Sequence, residues 1–478
     1  MNTPDSRARG TVPAWAAALL GAFLGLALLK FGNPVILDAQ VSAPGSWNEL
    51  LSESWPPRWG FPLFACVAVA IAAFSPLAAL LLRTHPGRVP AALAMAWLGW
   101  QFVAAQRSVD PTLTRLTLPH FAVLVACYVL GWLVVSRSRN RMAIFAGLGV
   151  AAIVCWLRAV NQHAFEFPQD HAMLVEGQQV GWTNFPPAAV DEMRHSGMIL
   201  RTNGVDIANP AILDKLRRGR SFGTLVYPNA LAGCVLLLLP PVMAIGFVLS
   251  RQLRPNLGRL LLLLVVLLGG LSLYWSGSKS GWLIGLSAGA IALFRLAAIR
   301  RYRVAIVALL VVAGLVIFGA RFSGYFSRGA TSISARMDYW RAALQTSRDH
   351  PLAGTGPGTF QRPYARLKHP DAEMARLVHN DYLEQFSDSG LPGGLLYLAW
   401  IGSAAIVVWR RPPTHPIWAS TGLGVGAWLV QGTSEFSLYV PGLAWAAFAL
   451  LGMLVAGEAP EEMTSTPGVV GDKNSRSK

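Results

Sequence analysis

"RLLLLLVVLLGGLSLYWSGSKSGWLIGLSAGAIALFR", residues 259–295, is two apolar runs joined by a short turn whose only cation is Lys279. The runs, at 259–275 and 281–298, are close to the roughly 17–25 residues a helix needs to cross hydrocarbon. Arginines stand at the far ends, Arg259 and Arg295, and this pattern predicts a hairpin of two membrane helices. Similar runs recur at 13–29, 61–82, 89–105, 116–135, 142–158, 225–249, 303–319, 391–409, 417–432 and 437–456, which makes twelve expected spans. Composition agrees: 53% of the 478 residues are hydrophobic and 13% charged, against about a quarter charged in soluble domains. The expected fold is an all-α polytopic membrane protein. Residues 1–457 form one integral membrane domain, and the polar stretch 458–478 reads as a disordered cytoplasmic tail. The first run, "PAWAAALLGAFLGLALL", follows Arg7 and Arg9 but is longer than a signal core and lacks an A-x-A site, so it reads as a retained helix.

The short loops set the orientation, because cytoplasmic loops collect lysine and arginine. With the N-terminus inside, the inner loops hold Arg83, Arg88, Arg137, Arg139, Arg141, Arg251, Arg254, Arg259, Arg295, Arg300, Arg301, Arg303, Arg410 and Arg411. The short outer loops hold Arg107, Arg115 and Lys279. Both termini are therefore expected in the cytoplasm. The formal charge of +16 is largely this bias, and its scatter among short turns argues against nucleic acid as a partner. Cys66, Cys127, Cys155 and Cys234 lie in apolar runs without ligand spacing and read as buried thiols.

Two long loops, at about 159–224 and 320–390, fall on the outer side. Loops of this length usually carry function or structure of their own. The first contains a short helix expected over 191–197, after Pro187. The second opens on an amphipathic helix with Ile333, Met337 and Trp340 at helical spacing, stopped by Pro351 and the glycines of "GTGPGTF" (354–360). That glycine stretch lacks the lysine and the strand–loop–helix setting of a nucleotide P-loop and reads as a structural turn. The segment "SWPPRWG" (54–60) suits an interfacial turn.

The densest polar cluster is "HNDYLEQFSDSGLPGG", residues 379–394. Histidine accepts a proton near neutral pH, as activation of a hydroxyl nucleophile requires, although a lone loop histidine is also a common cap or polar surface residue. Asn380 or Asp381 is placed to cap a helix to about Ser389, which Gly390 and Leu391-Pro392 would end. Asp381, Glu384 and Asp388 share one face of that helix and read as caps and a solvated surface, not a metal site. Leu383 and Phe386 lie on the face expected to bury against the membrane domain. Paired guanidinium donors suit a diphosphate, so arginines of the outer loops become candidates. Arg336 either lies over Trp340 or serves a substrate. Arg341 is explained by an ion pair with Asp338. Arg217, Arg218 and Arg220 form either a solvated basic turn or a lipid-phosphate contact. Lys279 either snorkels to the interface or approaches an anion through its glycine- and serine-bearing turn.

In order along the chain, "YPNALAG", "SGSKSGW", "ARMDYWRAALQTSRDHPLAGTGPGTF" and "VHNDYLEQFSDSGLPGGLLYL" resemble the O-antigen ligase and polymerase superfamily of bacterial membrane proteins, over about residues 220–410. The resemblance implies a membrane glycosyltransferase of the ligase type in the bacterial inner membrane. It would move a glycan from undecaprenyl diphosphate to an acceptor hydroxyl at the periplasmic face, with a lipid A–core sugar or another glycan as acceptor. It implies His379 as the base that activates the acceptor, and Arg336, Arg220 and Lys279 as diphosphate contacts. Asn380, Arg341 and Arg217 are secondary candidates. The family usually has arginine where this chain has Lys279, and lysine keeps the charge but loses the paired fork. No cofactor and no metal is implied, and the remaining partners are membrane lipids. A polymerase of the same superfamily is the alternative. A flippase for lipid-linked glycan is an alternative of a different class, but it would line its bilayer-depth cavity with charge. Here the deep segments are almost uncharged.

Overall fold

The computed structural model describes all residues except 1–11, 76–86, 139, 296–299, 328–330, 413 and 458–478. The expected disordered tail and part of the second run therefore lie outside the described residues. A helix stands at each of the twelve expected runs. They are α1 (Ala14–Lys30), α3 (Gly60–Phe74), α4 (Arg88–Ala105), α5 (Pro111–Leu133) and α6 (Ile144–Asn161), with the short α2 (Trp47–Ser52) after α1. Then come α10 (Pro228–Ser250), α11 (Pro255–Ser276), α12 (Lys279–Arg295), α13 (Arg303–Ser327), α16 (Asp381–Arg410), α17 (Pro416–Gln431) and α18 (Pro441–Ala456). Among the described residues, seven helical stretches are long and apolar enough to cross a membrane. The protein is a multi-pass membrane protein built almost wholly of helices.

Helix α18 is the centre of the bundle, buried over its whole length from Pro441 to Val455. A helix apolar on every side has no solvent face to offer and belongs in an interior. Small residues let its neighbours approach backbone to backbone. A Cβ at Gly131 of α5 would lie 2.0 Å from the Ala449 carbonyl oxygen, and one at Gly452 would lie 2.0 Å from that of Tyr128. Close backbone approach of this kind is how helices associate where lipid removes the hydrophobic drive between them. At the periphery, the most apolar stretch of α13 has none of its residues buried within the protein, so it presents leucine and valine outward.

Both long loops have structure of their own, and both correct the sequence reading in part. In the first, α6 runs on through a π turn at Gln162–Glu166 into α7 (Phe167–Gln179). The helix expected over 191–197 is α8 (Pro187–His195). Next comes an element that the all-α expectation omitted, an antiparallel hairpin of β1 (Ile199–Thr202) and β2 (Val205–Ala208), followed by α9 (Pro210–Arg218). The hairpin turns at Asn203 and Gly204, both with positive φ, which suits the right-handed twist of two short strands. Leu174, Trp182, Val190, Met193, Ile199 and Ala208 give this loop a small core.

In the second loop α14 (Thr331–Asp349) appears where an amphipathic helix was expected, but its buried face is different. Ile333 and Met337 are exposed, while Tyr339, Ala342 and Ala343 pack with Phe360, Tyr364 and Val378. The short α15 (Gln361–Leu367) completes that unit. Trp55 of "SWPPRWG" also packs inward, donating to the Leu50 carbonyl at 2.9 Å and meeting the Phe31 ring edge-on.

The largest correction concerns the acidic face of α16. Asp381, Glu384 and Asp388 are buried, not solvated, while Leu383 and Phe386 are only half-buried. Helical spacing places three carboxylates on one face but does not say which face meets the bundle. They are buried because polar partners wait for them. Asp388 accepts from the Gly358 amide at 2.7 Å and the Tyr439 hydroxyl at 3.1 Å. The expected stop at Gly390 is there: its φ 68° and ψ −174° are not helical, so α16 is two helices across a kink, the first ending at Gly390 and the second running on to Arg410. The turn at 351–360 bonds to the backbone on both sides of that kink. The Gly356 amide donates to the Asp388 carbonyl at 2.8 Å, and the Leu391 amide to the Pro351 carbonyl at 2.7 Å. At Gly354, with φ +62°, a Cβ would lie 2.3 Å from the Asp388 carbonyl carbon. Gly354→Ala should therefore destabilise the protein by at least about 2 kcal/mol, from left-handed strain plus a clash with rigid backbone. Gly402→Ala, where nothing lies within 4 Å, should not. Thermal melts of the two purified variants in detergent check this.

Candidate functional site

The turns at one end of the bundle meet around a single carboxylate. Glu435 lies in the turn between α17 and α18 and is 3% exposed. Its Oε1 accepts from Asn229 Nδ2 at 2.8 Å and from Arg336 Nη2 at 2.5 Å. Its Oε2 faces His379 Nδ1 at 3.5 Å. A buried carboxylate is tolerated only when paired and hydrogen-bonded; α10 and α14 do this at Oε1, while the His379 ring is the group that faces Oε2.

His379 holds an uncommon backbone conformation for a non-glycine residue, φ +55°, which costs roughly 1–3 kcal/mol unless its surroundings over-determine it. They do. Asn380 caps α16 by accepting from the Tyr382 and Leu383 amides at 3.1 and 3.0 Å. On the other side, Glu384 Oε2 accepts from the Val378 amide at 3.2 Å. The imidazole lies between rings, stacked on Tyr339 at 5.7 Å and edge-on to Phe436 at 4.7 Å. A cavity of about 300 Å³ opens beside it, walled by Tyr227, Tyr339, Phe436, Ile36, Leu37 and Arg376.

Cations collect on the other side of Glu435. Arg220 leaves the exposed basic turn and points inward: its Nε donates to the Ser276 carbonyl at 2.8 Å and Nη2 to Asn229 Oδ1 at 2.9 Å. Gly277, the left-handed C-cap of α11, makes room, since a Cβ there would lie 3.0 Å from Arg220 Nε. Lys279 projects from the same turn over the Tyr325 ring, 3.8 Å from its centroid. Its pKa is lowered to about 8, chiefly by burial and then by the charges of Arg220 and Arg336. Burial also lowers Arg220, with Glu435 opposing and Arg336 and Arg321 adding to it. Arg220, Lys279 and Arg336 thus share the charge of one carboxylate, and Arg321 adds its charge to Arg220 and Lys279. Such an uncompensated cluster, with planar guanidinium donors, has the chemistry of a polyanion site.

Residues 262–398 match the family model Wzy_C, described as O-antigen ligase. The chain carries a domain of the O-antigen ligase superfamily. The match contains Lys279, Arg336, His379 and Asn380, whereas Arg220 and Asn229 precede it and Glu435 follows it. No curated protein matches the chain. The O-antigen ligase domain therefore supplies most of the site, and its flanking helices supply the rest.

Four of the sequence candidates, Arg220, Lys279, Arg336 and His379, come together around Glu435, and Asn380 supports the histidine. Arg217 and Arg341 do not join them. Arg217 is exposed and pairs with Asp214 at 3.1 Å. Arg341 pairs with Asp338 at 2.8 Å, as the ion-pair reading expected. Arg336 points its guanidinium to Glu435. Sequence reasoning missed Glu435, Asn229 and Arg321. Glu435 had a signal: it is the one acidic residue in the apolar stretch from 412 to 457. Arg321 lies past the expected end of its span, and Asn229 within the quoted "YPNALAG".

The lysine makes the cation cluster titrate. Below about pH 8 Lys279 is charged, and above it the free protein loses that charge, so an anion must recharge it to bind. Affinity for inorganic diphosphate should accordingly fall by up to about tenfold per pH unit above 8 relative to Lys279→Arg, whose guanidinium stays charged. Calorimetric titrations at pH 7, 8 and 9 check this, and parallel profiles for the two proteins would refute it.

Proposed function

We propose that this O-antigen ligase-type membrane protein is an inverting glycosyltransferase. It would take a glycan from undecaprenyl diphosphate and join it to an acceptor hydroxyl at the periplasmic face of the inner membrane. The observation that carries the reading is the convergence on Glu435 of a histidine from one side and a cation cluster from the other. The donor's diphosphate lies against Arg220, Lys279 and Arg336, and its anomeric carbon points towards His379. The buried Nδ1 edge of the imidazole faces Glu435, which leaves Nε2 for the acceptor in the neighbouring cavity.

The acceptor oxygen attacks the anomeric carbon as its proton passes to His379 Nε2. The bond from that carbon to the phosphate oxygen breaks, and its electron pair leaves on the lipid diphosphate. Glu435 stabilises the imidazolium that forms, the part an orienting carboxylate plays beside a general base. The cations stabilise the charge that develops on the leaving diphosphate, where preorganised donors are most effective. Attack opposite the leaving group inverts the anomeric configuration. The ring walls of the cavity, Tyr227, Tyr339 and Phe436, suit a sugar ring, with an apolar face to stack and hydroxyls to orient. This supports a glycan acceptor, a lipid A–core sugar in the ligase reading.

Reconstitution with a lipid-diphosphate glycan and candidate acceptors, read by product mass, tests the proposal. Addition of one block to the core acceptor is expected. A ladder of growing chains would assign a polymerase, and movement of donor without covalent change would assign a transporter. His379→Ala should lose transfer by at least about 10³-fold and keep donor binding. Arg336→Lys, which loses the paired fork, should impair turnover far more than Arg348→Lys on the exposed end of α14. Equal activity of those two lysine variants would remove Arg336 from the site.

A further inference from the structure

The turn that carries Glu435 is held at both ends by one residue of the helix that follows His379. The Asp381 amide donates to the Gly432 carbonyl at 2.8 Å, and the Asp381 carboxylate accepts from the Leu438 amide, 3.2 Å from each oxygen. Gly432 and Leu438 stand three residues to either side of Glu435, and Asp381 stands two residues after His379. Asp381 is 3% exposed, so water does not compete for these bonds. The carbonyl of Leu438 is fixed too. Trp445 Nε1 donates to His120 Nδ1 at 3.1 Å, which leaves Nε2 of that buried histidine to donate to the Leu438 carbonyl at 2.8 Å. Asp381 makes no direct contact with the cavity or the cation cluster.

We propose that Asp381 is a positioning residue that sets the spacing of Glu435 from His379, an inference that rests on the acid–base reading of that pair. A cap would need only the helix's own amides, and Asn380 already satisfies the Tyr382 and Leu383 amides. The Asp381 carboxylate instead spans to the partner turn, so the two halves of the pair are registered by one side chain. Transfer depends steeply on such registration, with a misplacement of about 1 Å costing about 10²-fold.

The test uses the full chain in detergent and the reconstituted transfer assay. Asp381→Ala should lower kcat by about 10²-fold and leave KM for the lipid-diphosphate donor within about threefold. Asp381→Asn keeps one oxygen to accept from Leu438 and should recover most of the loss. In a Glu435→Gln background, Asp381→Ala should cost less than about threefold more, because a residue acting through Glu435 has nothing left to position. If Asp381→Ala does not fold, Gly432→Ala takes its place. A Cβ there would lie 2.8 Å from Asp381 Oδ2, in a backbone conformation alanine accepts, so it displaces the carboxylate without removing it. Gly432→Ala should lower kcat by at least about tenfold at unchanged donor KM. Wild-type kcat in Asp381→Ala or Gly432→Ala, or losses that multiply with Glu435→Gln, would overturn the inference while His379→Ala is still impaired. Wild-type turnover by His379→Ala would overturn the acid–base reading and the inference with it.

Discussion

A carboxylate with almost no contact with solvent governs the arrangement of one end of this bundle. Glu435 at 3% exposure is costly unless every oxygen has a partner, and removing one partner of a buried pair costs about 3–5 kcal/mol. Its hydrogen bonds come from α14 and from the start of α10, and His379, two residues before α16, faces its other oxygen. One charge therefore gathers three segments that are far apart in the chain. The same charge separates the two sides of the site: imidazole and aromatic cavity on one, guanidinium groups and Lys279 on the other.

Around that charge the helices act as rigid supports. The kink of α16 at Gly390 and the glycine turn at 354–360 lock together through backbone hydrogen bonds, so the start of α16 is held from below. Its buried face carries Asp381, Gln385 and Asp388, and it reaches Leu438, Tyr439 and Gly358. These polar contacts lie at one end of a bundle whose deep interior is apolar and packed through small residues. Precision at the site thus comes from hydrogen bonds between turns, and stability from close-packed helices beneath them.

The sequence showed the helices well because a span of about twenty apolar residues is a local property, and a helix stands at each of the twelve expected runs. His379, Arg220, Lys279 and Arg336 were also legible, from residue chemistry and from the order of their motifs. Less legible was anything that depends on which face of a helix turns inward. The carboxylates of α16 share a face by spacing alone, but the expectation that the face is solvated failed because the partners of Asp381 and Asp388 lie 30 to 57 residues away. Ile333 and Met337 failed for the same reason, since in a membrane protein an apolar stripe can point out of the protein. The β-hairpin carried too short a signal, four residues per strand, to be told from loop.

The amino-acid sequence by itself determined the number and place of the apolar helices, the superfamily of residues 262–398, and the residue types available for chemistry. Apolar length and motif order are written along the chain and need no partner to be read. The tertiary structure alone decided that a single glutamate between the last two helices joins the histidine to the arginines, and that Asp381 faces the turn carrying it. Those are long-range pairings, set by which buried groups find acceptors and donors once the helices have packed.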